Sequence, residues 1–88
     1  MSSNRTNVVA TSLLVGDTLV SRRKHKIEAY GGPHPLLIII DIERGEKGVL
    51  TRIERKDRPY YDAYHVVYLS GRVGLYWGHE VKKLLEVL

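Results

Sequence analysis

Residues 36–42, which read LLIIIDI, constrain the fold of this chain more than any other segment. The run is rich in β-branched side chains and is apolar at both alternating positions, a pattern typical of a strand that is covered on both faces. The chain has 88 residues, which leaves no room for a second hydrophobic core. A flat, single-layer sheet would leave one face of this strand in water. The segment therefore predicts either a sheet that closes around it or a second subunit that covers it.

The composition places the chain among ordinary globular domains, with 43% hydrophobic and 27% charged residues. It contains no cysteine, which excludes a disulfide framework and cysteine-based zinc sites and makes the cytoplasm the natural compartment. The longest apolar run, residues 36–40, is too short to cross a bilayer as a helix, and the polar start does not read as a secretory signal. We expect a flexible tail over residues 1–12, one domain over residues 13–88, and no membrane partner.

Alternating segments elsewhere predict further strands. Residues 13–20 (LLVGDTLV) carry a Gly-Asp turn before a first strand, and residues 49–55 (VLTRIER) alternate between apolar and polar side chains. Residues 64–70 (YHVVYLS) turn at Ser70-Gly71 directly into residues 72–77 (RVGLYW), which predicts an antiparallel hairpin.

Two segments depart from this strand pattern. The basic run of residues 21–26 is followed by AYGGPHP, whose glycines and prolines predict a long exposed loop through Pro35. At the end of the chain the period changes, because four apolar side chains fall at i, i+3, i+4 and i+7 and predict a short amphipathic helix: Val81, Leu84, Leu85 and Leu88. The aromatic ring of Trp77, just before this helix, is expected in the core, and Tyr30 is expected to be exposed.

The order of these signals resembles that of the small Src-homology-3-like barrels, which include KOW-type modules and many short phage and bacterial proteins. The resemblance covers about residues 13–88 and rests on Gly16-Asp17, on Gly48-Val49 and on the Gly71-x-x-Gly-x-Tyr76 hairpin that leads to Glu80 and Leu84. It implies an all-β fold, a barrel of about five antiparallel strands with a short C-terminal helix. Scaffold positions of this kind indicate architecture and carry little information on function. The basic insertion and the long apolar strand depart from the shortest KOW pattern.

Positive charge is the main functional signal. Fourteen Lys and Arg residues against ten Asp and Glu give a formal charge of +4, which favours polyanionic partners, although such a surplus also serves solubility. Cations bind phosphates through counterion release, and exposed tyrosine rings stack on unpaired bases. Acidic residues are interleaved with the second half of the basic set. The predicted nucleic-acid-binding residues are Arg22, Arg23, Lys24, Lys26, Arg55, Lys56, Arg58, Tyr60 and Tyr61.

Signals for catalysis are weak. The hairpin also resembles the V-x-I-Y strand of the plasmid-encoded type II dihydrofolate reductases, which makes a reductase of that kind the remote third hypothesis, but Gly74 stands where that family has its pore glutamine. Histidines at positions 25, 34, 65 and 79 lack the i, i+4 spacing of a helical zinc site, and no nucleophile triad or phosphate loop is visible. We therefore expect a non-enzymatic binding module without cofactor or metal, whose partner is nucleic acid, DNA or RNA, or an acidic protein surface.

The competing hypothesis is a protein-interaction or homo-oligomeric scaffold module, in which the positive charge only keeps the protein soluble. Its predicted subunit interface is the apolar strand: Leu36, Ile38, Ile39 and Ile40.

Overall fold

The computed structural model describes residues 13–32 and 34–88, and these residues form a predominantly β structure. The strands are β1 Thr18–Ser21, β2 His25–Gly31, β3 His34–Ile42, β4 Lys47–Glu54, β5 Ala63–Tyr68, β6 Arg72–Trp77 and β7 Leu85–Val87. A 3-10 turn, Pro59–Tyr61, precedes β5, and an α-helix, α1, spans Gly78–Leu84. The predicted all-β class with a short C-terminal helix is confirmed. None of the helices in this described part of the chain is long and apolar enough to cross a membrane.

The seven strands form one antiparallel sheet in the order β3-β2-β6-β5-β4-β1-β7. Only three residues connect β1 to β2, although β4, β5 and β6 lie between them in the sheet. Four strand spacings of about 4.8 Å would place these strands roughly 19 Å apart in a flat sheet. The connection, with four Cα–Cα steps of 3.8 Å, spans roughly 15 Å at most. The sheet must therefore curl until the two strands approach each other.

The curled sheet does not close into a barrel, and it has seven strands where about five were expected. It ends on β3 and β7, and each of these pairs with one described strand only. The expected closure fails because β7 has three residues and β1 has four, so this end of the sheet offers too short a ladder for the nine-residue β3. The long apolar strand is consequently an edge strand.

The concave face of the sheet holds the core. Along β5 and β6 every second side chain points inward, including Tyr64, Val66 and Tyr76, and these residues pack around Leu19 and Leu50. The predicted hairpin between β5 and β6 is confirmed, since the Gly71 N–H donates to the Tyr68 carbonyl oxygen at 2.9 Å. The alternation of the sequence thus correctly identifies the strands and the inward face of this central part.

The loop predicted over residues 21–35 is wrong in its central part, where β2 runs from His25 to Gly31. Ile27 and Ala29 are buried and Lys26 and Glu28 are exposed, which is the ordinary alternation of a half-buried strand. β2 is held on both sides, by β3 and by β6. The glycines and the basic run on either side of β2 concealed this short alternating segment.

The C-terminal helix begins and ends earlier than the apolar spacing predicts. At the start of α1, Glu80 Oε1 accepts a hydrogen bond from the Trp77 N–H at 3.1 Å, which caps the helix, while Val81 is buried on its inner side. After Leu84 the chain becomes extended and pairs with β1 as β7. Leu88 is 69% exposed, so the last position of the predicted apolar stripe does not pack on the core.

Candidate nucleic-acid interface

The first predicted basic segment, Arg22 to Lys24, forms the tight connection between β1 and β2. The Arg23 carbonyl oxygen accepts hydrogen bonds from Ser21 Oγ at 2.6 Å and from His25 Nδ1 at 2.8 Å, which fix the backbone of the connection. The Arg22 guanidinium donates from Nε to the Leu85 carbonyl oxygen at 3.1 Å. These bonds hold the segment against the end of α1 and the start of β7.

Ion pairs distinguish the cations of this segment and of the next strand. Arg22 lies 3.6 Å from Glu86, and Lys24 lies 3.9 Å from Glu43. Lys26 sits on β2 and pairs with Asp41 of β3 at 2.8 Å, which holds the pKa of that carboxyl below its usual range. No ion pair within the described residues involves Arg23. Lys24 and Lys26 are thus partly neutralised by carboxylates of β3 and of the residue that follows it, and Arg22 is partly neutralised by Glu86 of β7.

The second predicted basic segment, residues 55–61, is organised by a buried carboxylate. Asp62 is 2% exposed, and its Oδ1 accepts the Lys56 N–H at 2.8 Å while its Oδ2 accepts from Arg55 at 3.0 Å. The backbone donor and then the guanidinium lower the pKa of Asp62, so the clamp is charged at neutral pH. Lys56 and Arg58 are exposed, and neither forms an ion pair with a described residue.

The predicted tyrosines lie on the 3-10 turn that follows. Tyr60 is 57% exposed and Tyr61 is 51% exposed, with their rings edge to face at 5.3 Å. The ring of Tyr60 also stacks on the imidazole of His79 at 4.6 Å and 23°. Both tyrosines are therefore available at the surface, and one of them is fixed by contact with α1.

Helix α1 connects the two basic segments. At its start, the Gly78 N–H donates to the Asp62 carbonyl oxygen at 2.8 Å, and at its end the Arg22 N–H donates to the Leu84 carbonyl oxygen at 2.8 Å. Seven residues at 1.5 Å each make the helix about 10 Å long. The structure thus places the predicted basic segments at the two ends of one short helix, with Lys82 and Lys83 between them.

A cavity of about 340 Å³ lies where α1 meets the 3-10 turn. It is lined by two aromatic rings, an imidazole, two lysines, a proline and a glycine: Tyr60, Tyr64, His79, Lys82, Lys83, Pro59 and Gly78. The sequence-based site did not include His79, Lys82 and Lys83. Their i, i+3, i+4 spacing, which puts them on one helix face opposite Val81, could have identified them.

The described histidines serve different roles. His25 Nε2 bonds to the Tyr76 hydroxyl at 2.7 Å, and His79 stacks on Tyr60. His65 is 5% exposed and lies between the Tyr30 hydroxyl at 2.7 Å and Glu54 at 2.8 Å. Its hydrogen bond lowers the pKa of the Glu54 carboxyl. Residues 13–32 and 34–88 contain no cluster of three or more His, Asp or Glu side chains suited to a metal ion.

The predicted subunit interface lies on the free edge of the sheet. Leu36 and Ile39 are 71% and 59% exposed, whereas Ile38 and Ile40 are half-buried and Ile40 packs against the core. Leu37, which was not included in the predicted interface, is 51% exposed. The apolar strand therefore shows one side to the core and several large side chains to water.

Three single-residue expectations can also be compared with the structure. Trp77 is 41% exposed and does not belong to the core, because the inward position of β6 is taken by the neighbouring Tyr76. Tyr30, which was expected to be exposed, is half-buried, and its hydroxyl forms a hydrogen bond with His65. Gly74 faces the core, where an added Cβ would lie 3.2 Å from the rings of Tyr68 and Tyr76, so a glutamine there would have no space.

Comparison of the chain with protein families, with curated proteins and with solved structures gives no match.

Proposed function

We propose that this protein binds nucleic acid and that its interface is α1 together with the basic segments at its two ends. The observation that carries this proposal is the placement of the segments by the hydrogen bonds of Gly78 and Arg22. This placement puts exposed cations along α1 and at its two ends, and the exposed tyrosines lie on the segment that meets its start. The cations are Arg22, Arg23, Lys56, Arg58, Lys82 and Lys83. Such cations bind phosphates irrespective of sequence, and tyrosine rings stack on bases.

The size of the interface sets the expected affinity. Phosphates follow one another at about 3.4 Å per strand, so a helix of about 10 Å matches roughly three of them. Each neutralised phosphate contributes about −0.7 to −0.9 to the slope of log K against log salt concentration. We expect a slope of roughly −2 to −3 and weak, salt-sensitive binding.

A salt series with two matched double variants tests the proposal. The first variant is Lys56→Ala/Arg58→Ala, which removes two cations beside α1. The second is Lys24→Ala/Lys26→Ala, which removes the same net charge from residues that form ion pairs with Glu43 and Asp41. We expect the first variant to bind more weakly and to reduce the salt slope by about 1.5. The second variant should change both the affinity and the slope little. Equal losses would contradict this interface. No binding of DNA or RNA at low salt would refute the function and favour an acidic protein partner.

A second candidate function, homo-oligomerisation, is favoured by the position of β3. This edge strand carries large exposed apolar side chains and no Lys or Arg, whereas soluble proteins usually protect such edges with charge. Pro35 lacks a backbone N–H, which is tolerated on an edge strand. Antiparallel pairing of β3 with β3 of a second copy about a two-fold axis would be self-complementary and would cover Leu36 and Ile39.

Sedimentation at increasing protein concentration tests this second candidate. The wild type should form dimers, and Ile39→Lys should be a folded monomer because a charge opposite its own copy is unfavourable. Leu69→Lys is the control, since Leu69 is a fully exposed apolar residue on the turn between β5 and β6. A wild type that stays monomeric at high concentration excludes the β3 interface.

A further inference from the structure

The cavity between α1 and the 3-10 turn differs in chemistry from other grooves of the described surface. A groove beside β2 is lined by Lys26 but also by Glu28 and Glu80, and a groove at the β1–β2 connection combines arginines with Glu86. The cavity at α1 has two lysines and no carboxylate among its lining residues. The Glu80 side chain lines the β2 groove instead and bonds to the Trp77 N–H. A further groove, lined by Lys47, also lacks a carboxylate, but it has one lysine among mainly apolar side chains. The α1 cavity, with two lysines, therefore suits an anionic ligand better than these three grooves.

The walls of the cavity also suit an aromatic ligand. Tyr64 is 2% exposed and forms part of its lining, while the half-buried His79 and the exposed Tyr60 stack against each other at the rim. This stack fixes the plane of Tyr60 before any ligand arrives. Flat aromatic walls next to cations are the arrangement that binds a nucleobase together with its phosphate.

The cavity is held in shape by the junction of the two elements that form it. The backbone of Gly78 lies so close to the 3-10 turn that a Cβ at this position would overlap the Pro59 carbonyl oxygen. The hydrogen bonds from Gly78 N–H to the Asp62 carbonyl oxygen and from Asp62 N–H to the Pro59 carbonyl oxygen tie the turn to α1. A pre-formed cavity needs little ordering upon binding, which favours affinity.

We propose that this cavity binds one unpaired nucleotide of a single strand, with the base stacked on Tyr60 and the adjacent phosphates at Lys82 and Lys83. The inference rests on the proposed nucleic-acid function and adds the class of nucleic acid and the site. In a duplex the faces of the bases are stacked on one another, so only an unpaired base can place its face on a tyrosine ring. The cavity volume of about 340 Å³ lies at the lower end of the range for small-ligand sites.

Fluorescence anisotropy with a labelled oligothymidylate, and with the same strand annealed to oligoadenylate, tests the proposal. The single strand should bind more tightly than the duplex. Tyr60→Ala should weaken single-strand binding about 5- to 100-fold, as expected for the loss of one stacked base. Tyr60→Phe keeps the ring and should retain the affinity. Trp77→Ala is the control, because Trp77 is an exposed aromatic residue next to α1 that lines the groove beside β2 and not the cavity.

The lysines give a second measurement that does not depend on the stacking ring. Lys82→Ala/Lys83→Ala should reduce the salt slope for the single strand by about 1.4. Circular dichroism of each variant shows whether the fold is retained. Equal affinity for strand and duplex, or equal losses in Tyr60→Ala and Trp77→Ala, would overturn the nucleotide site and leave the wider nucleic-acid function standing. Absence of binding to either probe would overturn both.

Discussion

A chain of hydrogen bonds through the core gives the sharpest test of the structure. The Tyr68 and Tyr76 hydroxyls lie 2.6 Å apart, and the Tyr76 hydroxyl lies 2.7 Å from His25 Nε2. The Arg23 carbonyl oxygen can only accept, so His25 Nδ1 donates to it; in the tautomer that carries a single proton on Nδ1, Nε2 accepts from the Tyr76 hydroxyl. Tyr76 must then accept from Tyr68. The backbone of the β1–β2 connection therefore sets the direction of the chain.

Tyr76→Phe removes the middle of this chain, and its cost follows from the contacts. Two hydrogen bonds are lost, each with a net value of about 1 kcal/mol. The hydroxyl of Tyr68, which is 3% exposed, is left without an acceptor, and this adds about 1 kcal/mol. We expect the free energy of unfolding to fall by about 3 kcal/mol, a substantial part of the stability of a domain this small.

Tyr68→Phe is the matched comparison, because it removes the same atom from the end of the chain. It breaks one hydrogen bond and leaves the bond from Tyr76 to His25 intact, so we expect a loss of about 1 kcal/mol. The free energy of unfolding of the double variant should be close to that of Tyr76→Phe alone, because the double variant also removes the Tyr68 hydroxyl that Tyr76→Phe leaves without an acceptor. The two single costs are therefore expected to be non-additive.

Urea unfolding followed by circular dichroism measures all three variants, with equal m-values as the sign of an unchanged two-state transition. Thermal unfolding offers a second reading, at about 4–8 °C in Tm per kcal/mol for a domain of this size. Two results would contradict the proposed direction of the hydrogen bonds: a Tyr76→Phe variant that is no more destabilised than Tyr68→Phe, or losses in unfolding free energy that add in the double variant.

Three further predictions follow from other parts of the molecule. Burial raises the pKa of Tyr68 from 10.0 to about 12. The stability that the protonated Tyr68 hydroxyl contributes is therefore complete below pH 10 and is lost as the pH rises through 12. Ultraviolet titration should show that this tyrosine ionises at a higher pH than an exposed one. The pKa of Asp62 is lowered, so its contribution is present above the ordinary value of 3.8 and is lost as the pH falls through the lowered pKa; Asp62→Asn should lower Tm at neutral pH and reduce the acid sensitivity seen by circular dichroism. Gly78→Ala should lower Tm by several degrees, because a Cβ at this position would overlap the Pro59 carbonyl oxygen, whereas Lys82→Ala on the exposed face of α1 should change Tm little. Equal losses of Tm in the two variants would contradict the tight junction.

Local patterns predicted the strands of the central sheet but not the ends. The hairpin at Ser70-Gly71 and the alternation of β4 depend on neighbours in sequence, which is why they could be inferred. β7 depends on the edge of β1, and Leu85 pairs there with Ser21 across more than half of the chain. The same apolar residues also fit a helical period. The sequence therefore could not show where α1 stops.

In the candidate site, too, the features set by local sequence could be predicted and those set by long-range pairing could not. Basic and aromatic residue types were recognised from composition, but their partners depend on strand register: Lys26 meets Asp41 only because β2 and β3 pair in that register. The cavity forms between Tyr60 and the face of α1 that carries Lys82, two elements separated by the whole of β5 and β6. No local spacing connects them, whereas the helical spacing of His79 with the lysines was visible.

The three-residue connection between β1 and β2 also has a consequence for how the chain folds. It sends neighbouring strands to distant places in the sheet, so that Leu19 pairs with Val87 and Ala29 pairs with Gly74. The hairpins β4–β5 and β5–β6 can form early, but these other pairings require long loops to close first. High average sequence separation slows folding, and we expect the millisecond-to-second range of all-β domains rather than microseconds. During that interval β1 exposes an unpaired edge until residues near the end of the chain reach it.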